Sequence, residues 1–433
     1  MNLGNEECFK TLEVVIPQKL RSGEKLIGTT IHKGKEVNAY IEEGDSHLGR
    51  LPVCVLGPVG SGKDSFIENY VFNCTKSNES TFVVDFVDNC ELSRSIKNNT
   101  PSDKIVEIDL SSTECLQGFG FNEVYFNEGM SDLEKLGLAN LQAIETMSLI
   151  HSIKAKSTLT SRENRYISAA SIVVYIQNGN RIKDVIDCLT DYKVREQYIN
   201  LLNPIQKASL SKEIRILNEL NSYSKDENPK VIGTINSKIE PIIDKINFLR
   251  ENFILNIMYT NGIEKNIDLS NCIDEGKVAL IKIGDSAFPN QSLKDILITY
   301  FVSKIFISAR LKAYKNSTPN KCSLVINELN KSSTLSRNLS NLLPQSRALG
   351  IKVVFSSHFL LNNSLDVTEQ VPNIVLLRGC NQEVFDKLKD RFEEFQFNDY
   401  LNMPLYQAMC SIRYSEGCSN FIAKLLPPLS MDR

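Results

Sequence analysis

The feature that most constrains the fold of this chain is a glycine-rich segment, GPVGSGKDS, at residues 57–65. The continuous apolar run LPVCVLG leads into it at 51–57, and DSFIENYVF follows at 64–72 with its apolar residues at helical spacing. A strand, a glycine loop and a helix in this order are the context of a phosphate-binding P-loop. Backbone N–H groups of such a loop approach the phosphates, the helix N-terminus adds positive potential, and the lysine reaches the terminal phosphates. The pattern therefore predicts a nucleotide site.

The predicted loop departs from the usual pattern at one position. Ser or Thr normally closes a P-loop, and its hydroxyl binds the Mg²⁺ that accompanies ATP; here the closing residue is Asp64. We predict ATP and Mg²⁺ as cofactors and Lys63 as a catalytic residue. The alternative is a glycine-rich turn with an exposed lysine, which the flanking strand and helix disfavour. The predicted nucleotide-binding residues are Gly57, Pro58, Val59, Gly60, Ser61, Gly62, Lys63, Asp64 and Ser65.

Further apolar runs predict the rest of an α/β fold. Runs of this kind are typical of parallel strands that helices cover on both faces. Between them, residues 127–256 carry long segments with apolar residues three and four apart, which predict an inserted all-helical domain. The predicted strands after the P-loop are TFVVDFV (81–87), KIVEIDL (104–110), GKVALIKIG (276–284), CSLVINEL (322–329), GIKVVFSSH (350–358) and NIVLLRG (373–379).

The predicted organisation has four parts. Residues 1–50 form a small N-terminal β module with the strand-like runs LEVVIP and EVNAYIEE. Residues 51–126 and 257–433 are the two parts of a nucleotide-binding core with a mostly parallel sheet, and 127–256 is the helical insertion. The expected fold class is therefore α/β, a P-loop NTPase of the RecA-like type.

The composition limits the cellular compartment and the kinds of partner that we expect. Lys and Arg total 49 against 52 Asp and Glu, so any nucleic-acid surface has to be local, such as a lined channel. The 11 cysteines include no C-x-x-C pair, which favours buried reduced thiols over a disulfide framework or a zinc site. No apolar run approaches the roughly 20 residues that span a bilayer, and the N-terminus lacks signal-peptide features. We expect a cytoplasmic protein without a membrane span.

Two later strand ends carry candidate catalytic residues. The run LVINE at 324–328 ends where P-loop ATPases place two acidic residues, the first for Mg²⁺ and the second for polarising the attacking water. Here Asn327 takes the first position and Glu328 the second, so we predict Asp64 and Asn327 at the metal and Glu328 as catalytic. An ordinary turn residue at a strand end is the alternative. His358 ends the next strand, and we predict it as a catalytic residue that hydrogen-bonds the γ-phosphate or the attacking water; a strand-end residue that faces solvent is the alternative.

An arginine from a neighbouring subunit often stabilises charge on the transferred phosphoryl group. Arg347, Arg378 and Arg391 are the candidates, and Arg347 is the one we assign. A surface or structural role is the alternative for each of them.

Several of these segments resemble one family. SRALGIKVVFSSH at 346–358 is similar to the arginine, Gly-Ile, strand and strand-end glutamine of the FtsK–HerA superfamily of DNA-pumping ATPases, with His358 at the glutamine position. Within it, the TraG/TraD coupling proteins of type IV secretion are the most similar. Their P-loop entry resembles HLGRLPVCVLGPVGSGKD, their Gly-x-Asn-Pro motif resembles GFNEV at 120–124, and their last strand and helix resemble LLRGCNQEVFDKLKDRF. The resemblance covers roughly residues 25–428.

The chain also departs from that family. The usual N-terminal transmembrane anchor is not found, and Glu123 replaces the proline of Gly-x-Asn-Pro. Asp64, Asn327 and His358 replace a hydroxyl, an aspartate and a glutamine. One interpretation is that a carboxylate has moved from position 327 to position 64, which keeps the formal charge near Mg²⁺. The other is loss of activity, because Asp64 repels phosphate.

The resemblance implies an ATP-driven DNA translocase. It implies a homo-oligomer, with a hexamer as the expected form, DNA in a central channel, and a relaxase or a secretion or packaging component as partner, which recruits the protein to the membrane. Two alternatives stay open: a catalytically weakened adaptor that recruits such a partner, and a HerA-like motor for DNA end processing.

Overall fold

The computed structural model describes residues 15–44, 50–153, 158–315, 321–358 and 370–429. Thirteen strands lie in these residues, eleven of them in one sheet. In chain order they are β1 (Glu24–His32), β2 (Lys35–Glu42), β3 (Val53–Leu56), β4 (Ser80–Asp85), β5 (Ile105–Asp109), β6 (Asn221–Tyr223), β7 (Val231–Thr234), β8 (Val278–Lys282), β9 (Cys322–Ile326), β10 (Ile351–Ser357), β11 (Asn373–Leu377), β12 (Gln407–Tyr414) and β13 (Gly417–Leu425).

Sixteen α-helices are found in the same residues. They are α1 (Gln18–Arg21), α2 (Lys63–Lys76), α3 (Glu91–Asn99), α4 (Asp132–Ser152), α5 (Ser161–Tyr175), α6 (Ile182–Thr190), α7 (Tyr192–Leu201), α8 (Pro204–Ser209), α9 (Ser211–Asn218), α10 (Glu240–Glu251), α11 (Phe253–Thr260), α12 (Leu269–Asp274), α13 (Gln291–Lys315), α14 (Ser333–Ser346), α15 (Gln382–Leu388) and α16 (Phe397–Leu401). Among these helices, none combines the length and the apolar character needed to cross a bilayer.

The large sheet has the strand order β2-β1-β13-β12-β11-β3-β10-β9-β4-β8-β5. The seven strands from β11 to β5 are parallel, and the four at the other end are antiparallel. Every residue of β3, β4, β9, β10 and β11 is buried, because helices cover both faces of the parallel part. The predicted fold class, a mostly parallel sheet with helices on both faces, is confirmed.

Alternate residues of β3 show how the two faces are covered. Cys54 and Leu56 belong to the apolar core that contains residues of α13 and α14. Val53 and Val55 belong to the core that contains residues of α2 and α3. This alternation follows from the two-residue period of a strand, and it places the P-loop helix and the long helix α13 on opposite sides of the sheet.

The segment between β5 and β8 is mainly helical and contains α4 to α12. Its first two long helices begin with capping boxes, Ser131 with Glu134 and Thr160 with Glu163, which satisfy the first free N–H groups of each helix. One difference from the predicted all-helical insertion is the hairpin of β6 and β7. The division into domains stays a prediction.

The N-terminal strands join the same sheet as the P-loop strand. β1 pairs with β13, and β2 pairs with β1, so both extend its antiparallel end. EVNAYIEE corresponds to β2, as predicted. Of the predicted LEVVIP strand, residues 12–14 lie outside the described residues, and the described remainder forms no strand.

A buried ion cluster fixes β1 to the parallel part of the sheet. The carboxylate of Glu79, just before β4, accepts Lys25 Nζ at 2.9 Å and Arg50 Nη1 at 2.7 Å. It also accepts the hydroxyl of Ser323 on β9 at 2.7 Å. Burial alone would raise the pKa of Glu79, but the two cations outweigh it and lower that pKa to about 2.

The unexpected Glu123 of the GFNEV segment has a buried partner. Its Oε1 lies 3.1 Å from Nζ of Lys304 on α13, and both side chains are fully buried. Lys304 also donates to Asn122 Oδ1 at 2.9 Å. An ion pair therefore joins the start of the helical segment to α13 where the resembled family has a proline.

Candidate nucleotide-binding site

The carboxyl ends of β3, β4, β9 and β10 meet at one edge of the sheet because these strands are parallel neighbours. Ligands of open α/β sheets bind at this edge. The loop 57–62 leaves β3 there, and α2 begins at Lys63. Gly60 and Gly62 have φ angles of 74° and 97°, a region in which a side chain is strained. At Gly57 a Cβ would lie 2.3 Å from Ser61 Oγ, so the loop conformation requires these glycines.

Lys63 is buried at the base of the loop. Its Nζ donates to the carbonyl oxygens of Gly57 and Pro58, both at 2.9 Å. Burial lowers the pKa of Lys63, and the nearby carboxylates of Glu328 and Asp64 act against that shift. The structure thus places the lysine inside the loop, with neutral oxygens as its present acceptors.

Asp64 occupies the first turn of α2 and is exposed at the mouth of the pocket. Its pKa is raised, first because surrounding protein atoms displace water from the carboxylate. Lys63 opposes this shift, whereas the negative charges of Asp85, Glu328 and Glu91 add to it. The three negative charges beside this carboxylate outnumber the one positive charge of Lys63, an imbalance that a bound cation would reduce.

Asn327 lies directly after β9, and its neighbour across the sheet is Asp85 at the end of β4. Its Nδ2 is 3.4 Å from Asp85 Oδ1, and its Oδ1 accepts the Ser356 hydroxyl at 3.0 Å. Asp85 is fully buried and accepts the Ser93 N–H at 2.9 Å. Burial raises the pKa of Asp85. A carboxylate is therefore present beside position 327 although residue 327 is an amide.

Glu328 follows with a left-handed backbone, φ 48°, which is rare for a residue other than glycine and is found at functional sites. Its Oε1 lies 2.5 Å from His358 Nε2, and its Oε2 lies 2.8 Å from Lys331 Nζ. Burial alone would raise the pKa of Glu328, but the contacts with Lys331 and His358 outweigh it and lower that pKa. Glu328 is thus held as a carboxylate at the pocket wall. His358, assigned from the sequence to the γ-phosphate, contacts this carboxylate.

Lys63, Asp64, Asn327 and Glu328 line a cavity of about 400 Å³. The P-loop from Val59 to Ser65 forms its floor, Asn327 and Glu328 form part of one wall, and Leu405 and Tyr406 line it as well. Sequence reasoning missed three acidic residues near it, Asp85, Asp88 and Glu91, and also Lys331, Leu405 and Tyr406. Asp85 was detectable, since it ends the run TFVVD in the way that Asn327 ends LVIN.

The three candidate arginines are not together. Arg378 directly follows β11 at the P-loop edge, where a Cβ on its neighbour Gly379 would lie 2.8 Å from Pro58. Arg347 precedes β10 and Arg391 donates to Pro372 O before β11, so both lie at the opposite edge. A strand of seven residues is roughly 20 Å long. Arg347 therefore does not reach the P-loop of its own chain, and a role in catalysis requires a neighbouring subunit.

The oxygen donors near the P-loop suit a hard divalent cation. Mg²⁺ binds through one or two carboxylates, phosphate oxygens and water, and Asp64, Asp85 and the Asn327 carbonyl are donors of that class. In the described part of the chain, no group of three or more His, Cys, Asp or Glu side chains is arranged to hold a metal by itself. These oxygen donors therefore suit a cation that binds together with the phosphate groups of a nucleotide.

Comparisons with known proteins concern the fold. The chain matches no protein-family model and no curated protein. Among solved structures, the plasmid coupling protein TrwB in complex with the ATP analogue ADPNP is similar at a TM-score of 0.56 and 12% identity, over 96% of this chain and 94% of TrwB. TrwB in complex with ADP and Mg²⁺ is similar at a TM-score of 0.55 and 14% identity over the same shares.

VirB4 of Thermoanaerobacter pseudethanolicus is similar at a TM-score of 0.58 and 12% identity, over 97% of this chain and 100% of that one. Both likenesses extend over nearly the full length, so they include the helical segment as well as the sheet. At this identity they establish the fold. The predicted resemblance is confirmed at that level: the chain has the P-loop NTPase fold of the TrwB coupling protein and VirB4.

Proposed function

We propose that the protein is a Mg²⁺-dependent ATPase that moves DNA, and that it acts as a homo-oligomer. The observation that carries this proposal is the convergence of Lys63, inside a complete glycine loop, with Glu328 on the same cavity. Phosphoryl transfer depends on the positioning of the reactants and on charge. In such a reaction Lys63 contacts the phosphates and Glu328 contacts the attacking water. The fold supports it, because nucleotide complexes of TrwB share it over 96% of this chain and 94% of the TrwB chain.

The P-loop residues hold the phosphates in this proposal. Loop N–H groups and the N-terminus of α2 supply donors and positive potential. Lys63 exchanges the carbonyl oxygens of Gly57 and Pro58 for phosphate oxygens, which are stronger acceptors because they are charged. The lysine is thus already at the site before nucleotide arrives.

Asp64 and Asn327 hold the cation, with Asp85 behind Asn327. The amide of Asn327 is oriented by Asp85 through its Nδ2 and by Ser356 through its Oδ1. When bound, Mg²⁺ neutralises charge on the phosphates and polarises them. The ion would reduce the excess of negative charge around Asp64, which Lys63 offsets only in part.

Glu328 orients the attacking water and accepts its proton. Its carboxylate is kept ionised by Lys331 and positioned by His358, so it is able to accept a hydrogen bond from water at neutral pH. His358 also remains the residue that we assign to sensing the γ-phosphate. Because His358 contacts Glu328, a change in the contact between His358 and the γ-phosphate acts directly on the catalytic base.

An arginine from the adjacent subunit, with Arg347 as our assignment, would complete the site in an oligomer, which we expect to be a hexamer. DNA in a central channel and a relaxase or a secretion or packaging component are the proposed partners. Cysteines in the described residues form no disulfide, which supports work in a reducing compartment such as the cytoplasm, with recruitment to the membrane by a partner.

The experiment is an ATPase assay of the purified oligomer with and without DNA, with Lys63→Ala as the control. We expect ATP hydrolysis that DNA stimulates and that Lys63→Ala abolishes. Hydrolysis that survives Lys63→Ala would come from a contaminant. Absence of any DNA-stimulated hydrolysis would refute the motor.

A second function, a nucleotide-binding adaptor that recruits a relaxase or a secretion partner, is favoured by one observation. Burial raises the pKa of Asp64, the carboxylates of Asp85, Glu328 and Glu91 raise it further, and a crowded negative pocket weakens phosphate binding. Mg-ATP binding without hydrolysis, together with unchanged partner binding by Glu328→Gln, would support the adaptor over the motor.

A further inference from the structure

We propose that Leu405 and Tyr406 form the nucleobase platform of the nucleotide site. On this platform the base packs by its flat face, so that the pocket prefers a nucleoside triphosphate to inorganic tripolyphosphate and discriminates little between adenine and guanine. This inference rests on the proposed function, since it concerns the same cavity.

Strand direction puts these two residues beside the P-loop. β12 is antiparallel to β11, with Leu377 opposite Ala408, so β12 begins at the edge where β11 and β3 end. Leu405 and Tyr406 immediately precede β12, and they line the same cavity as the loop residues 59–65. The Tyr406 carbonyl accepts the N–H of Leu425 on β13 at 2.8 Å, which fixes the segment to the sheet.

The order of the strands separates the two ends of the cavity. Asn327 and Glu328 follow β9, and Asp85 is the last residue of β4. Both strands lie on one side of β3 in the sheet, and β12 lies on the other side. Charged side chains are concentrated at the end near β4 and β9, where Val87 and Leu92 also line the cavity, whereas Leu405 and Tyr406 give the opposite end an apolar and aromatic wall. A nucleoside triphosphate has the same polarity, an anionic end and a flat aromatic end. About 400 Å³ is within the range of small-molecule pockets.

These two side chains are open to solvent. Leu405 is 55% exposed and Tyr406 40% exposed, whereas Tyr400 and Met403 of the same segment are buried. Tyr406 also has φ 61°, a left-handed conformation that is uncommon for a bulky residue and is found at ligand sites. Leu401 of this segment is also exposed (53%), and what distinguishes Leu405 and Tyr406 is that both line the cavity.

The chemistry of the pair sets its selectivity. Leucine offers no hydrogen bond, and tyrosine offers a single hydroxyl, whereas strong discrimination between bases requires several paired polar groups. Stacking tolerates every base because each has a π-face. Adenine and guanine nucleotides should therefore bind with similar affinity.

The test is calorimetric titration of the full chain with Mg-ATP, Mg-GTP and Mg-tripolyphosphate. Variants are Tyr406→Ala, Tyr406→Phe and Leu405→Ala, with Tyr223→Ala as a matched control, since Tyr223 is 50% exposed on the β6–β7 hairpin. We expect Tyr406→Ala to weaken Mg-ATP binding about 5- to 100-fold, the range of one base–aromatic stack. It should leave tripolyphosphate binding unchanged, and Tyr406→Phe should restore ATP binding.

Two results would overturn the platform alone: ATP affinity unaffected by Tyr406→Ala and Leu405→Ala, or equal losses for ATP and tripolyphosphate. A large preference for one of the two purines would overturn the stated selectivity. Binding of tripolyphosphate by each variant also reports that its P-loop is folded. If the unaltered protein bound neither ATP nor tripolyphosphate, the proposed function would fail, and the platform with it.

Discussion

Replacing Glu79 by glutamine should destabilise the whole sheet at neutral pH. Glu79 is 3% exposed and accepts both Lys25 and Arg50. Glutamine keeps the size of the side chain but removes its charge. The buried cations Lys25 and Arg50 then have no carboxylate between them. Removing one member of a buried ion pair costs more stability than removing one member of an exposed ion pair.

The pKa of Glu79 gives the magnitude. It falls from an ordinary 4.5 to about 2 in the folded protein, and each unit corresponds to about 1.4 kcal/mol. Because the pKa is depressed on folding, the stabilisation is present above pH 4.5 and is lost as the pH falls toward 2. It amounts to about 3 kcal/mol at pH 7 and about 2 kcal/mol at pH 3.5.

Thermal unfolding measures this loss. For cooperative unfolding of 433 residues, 1 kcal/mol corresponds to about 1 °C, so Glu79→Gln should lower the midpoint at pH 7 by about 3–5 °C. The difference from the unaltered protein should narrow at pH 3.5. Glu383→Gln is the control, since its exposed pair with Lys387 should contribute under about 1 kcal/mol. A Glu79→Gln midpoint equal to that of the control would refute the reasoning.

Three further predictions concern the site and the Glu123 pair. Glu328→Gln should leave Mg-ATP binding intact and lower turnover about 100-fold or more; equal loss of both would contradict its role as base. Asp64→Ser and Asn327→Asp should each weaken Mg-ATP binding, and the double variant should recover it, whereas additive losses would exclude charge exchange. Lys304→Met should cost about 3–5 kcal/mol. Because burial raises the pKa of Glu123, that loss should shrink in thermal melts from pH 7 to pH 5, and a loss independent of pH would contradict it.

The strands of the parallel part of the sheet were predictable because burial on both faces produces continuous apolar runs in the sequence. β3, β4, β9, β10 and β11 lie within the continuous apolar runs. The P-loop and the LVINE strand end were readable for the same reason, since each polar motif directly follows such a run. Their contact at one edge then follows from parallel direction.

The strands at the antiparallel end of the sheet were harder to predict from the sequence. β12 and β13 were not predicted, although the alternating burial of β13 is visible in GCSNFIAKL. That β13 pairs with β1 depends on contacts between residues almost 400 positions apart, which no local pattern contains. Leu405 and Tyr406 were missed for this reason, because their place in the cavity follows only from where β12 lies.

The sequence also did not reveal which side chains contact each other. The exchange between Asp64 and Asn327 is a hypothesis about charge alone, whereas the nearest carboxylate to the Asn327 amide belongs to Asp85. Likewise, the sequence showed that Glu123 replaces a proline but not that Lys304 lies opposite it. The contact between Glu123 and Lys304 depends on the packing of α13, and Lys304 lies about 180 residues after Glu123.

The position of β3 in the sheet has a consequence for synthesis. Its neighbours β10 and β11 begin about 300 residues after it. At 5–20 residues per second, a ribosome needs roughly 15–60 s to produce them. During that time the apolar P-loop strand has neither of its pairing partners, so the nucleotide site assembles only after β10 and β11 have left the ribosome.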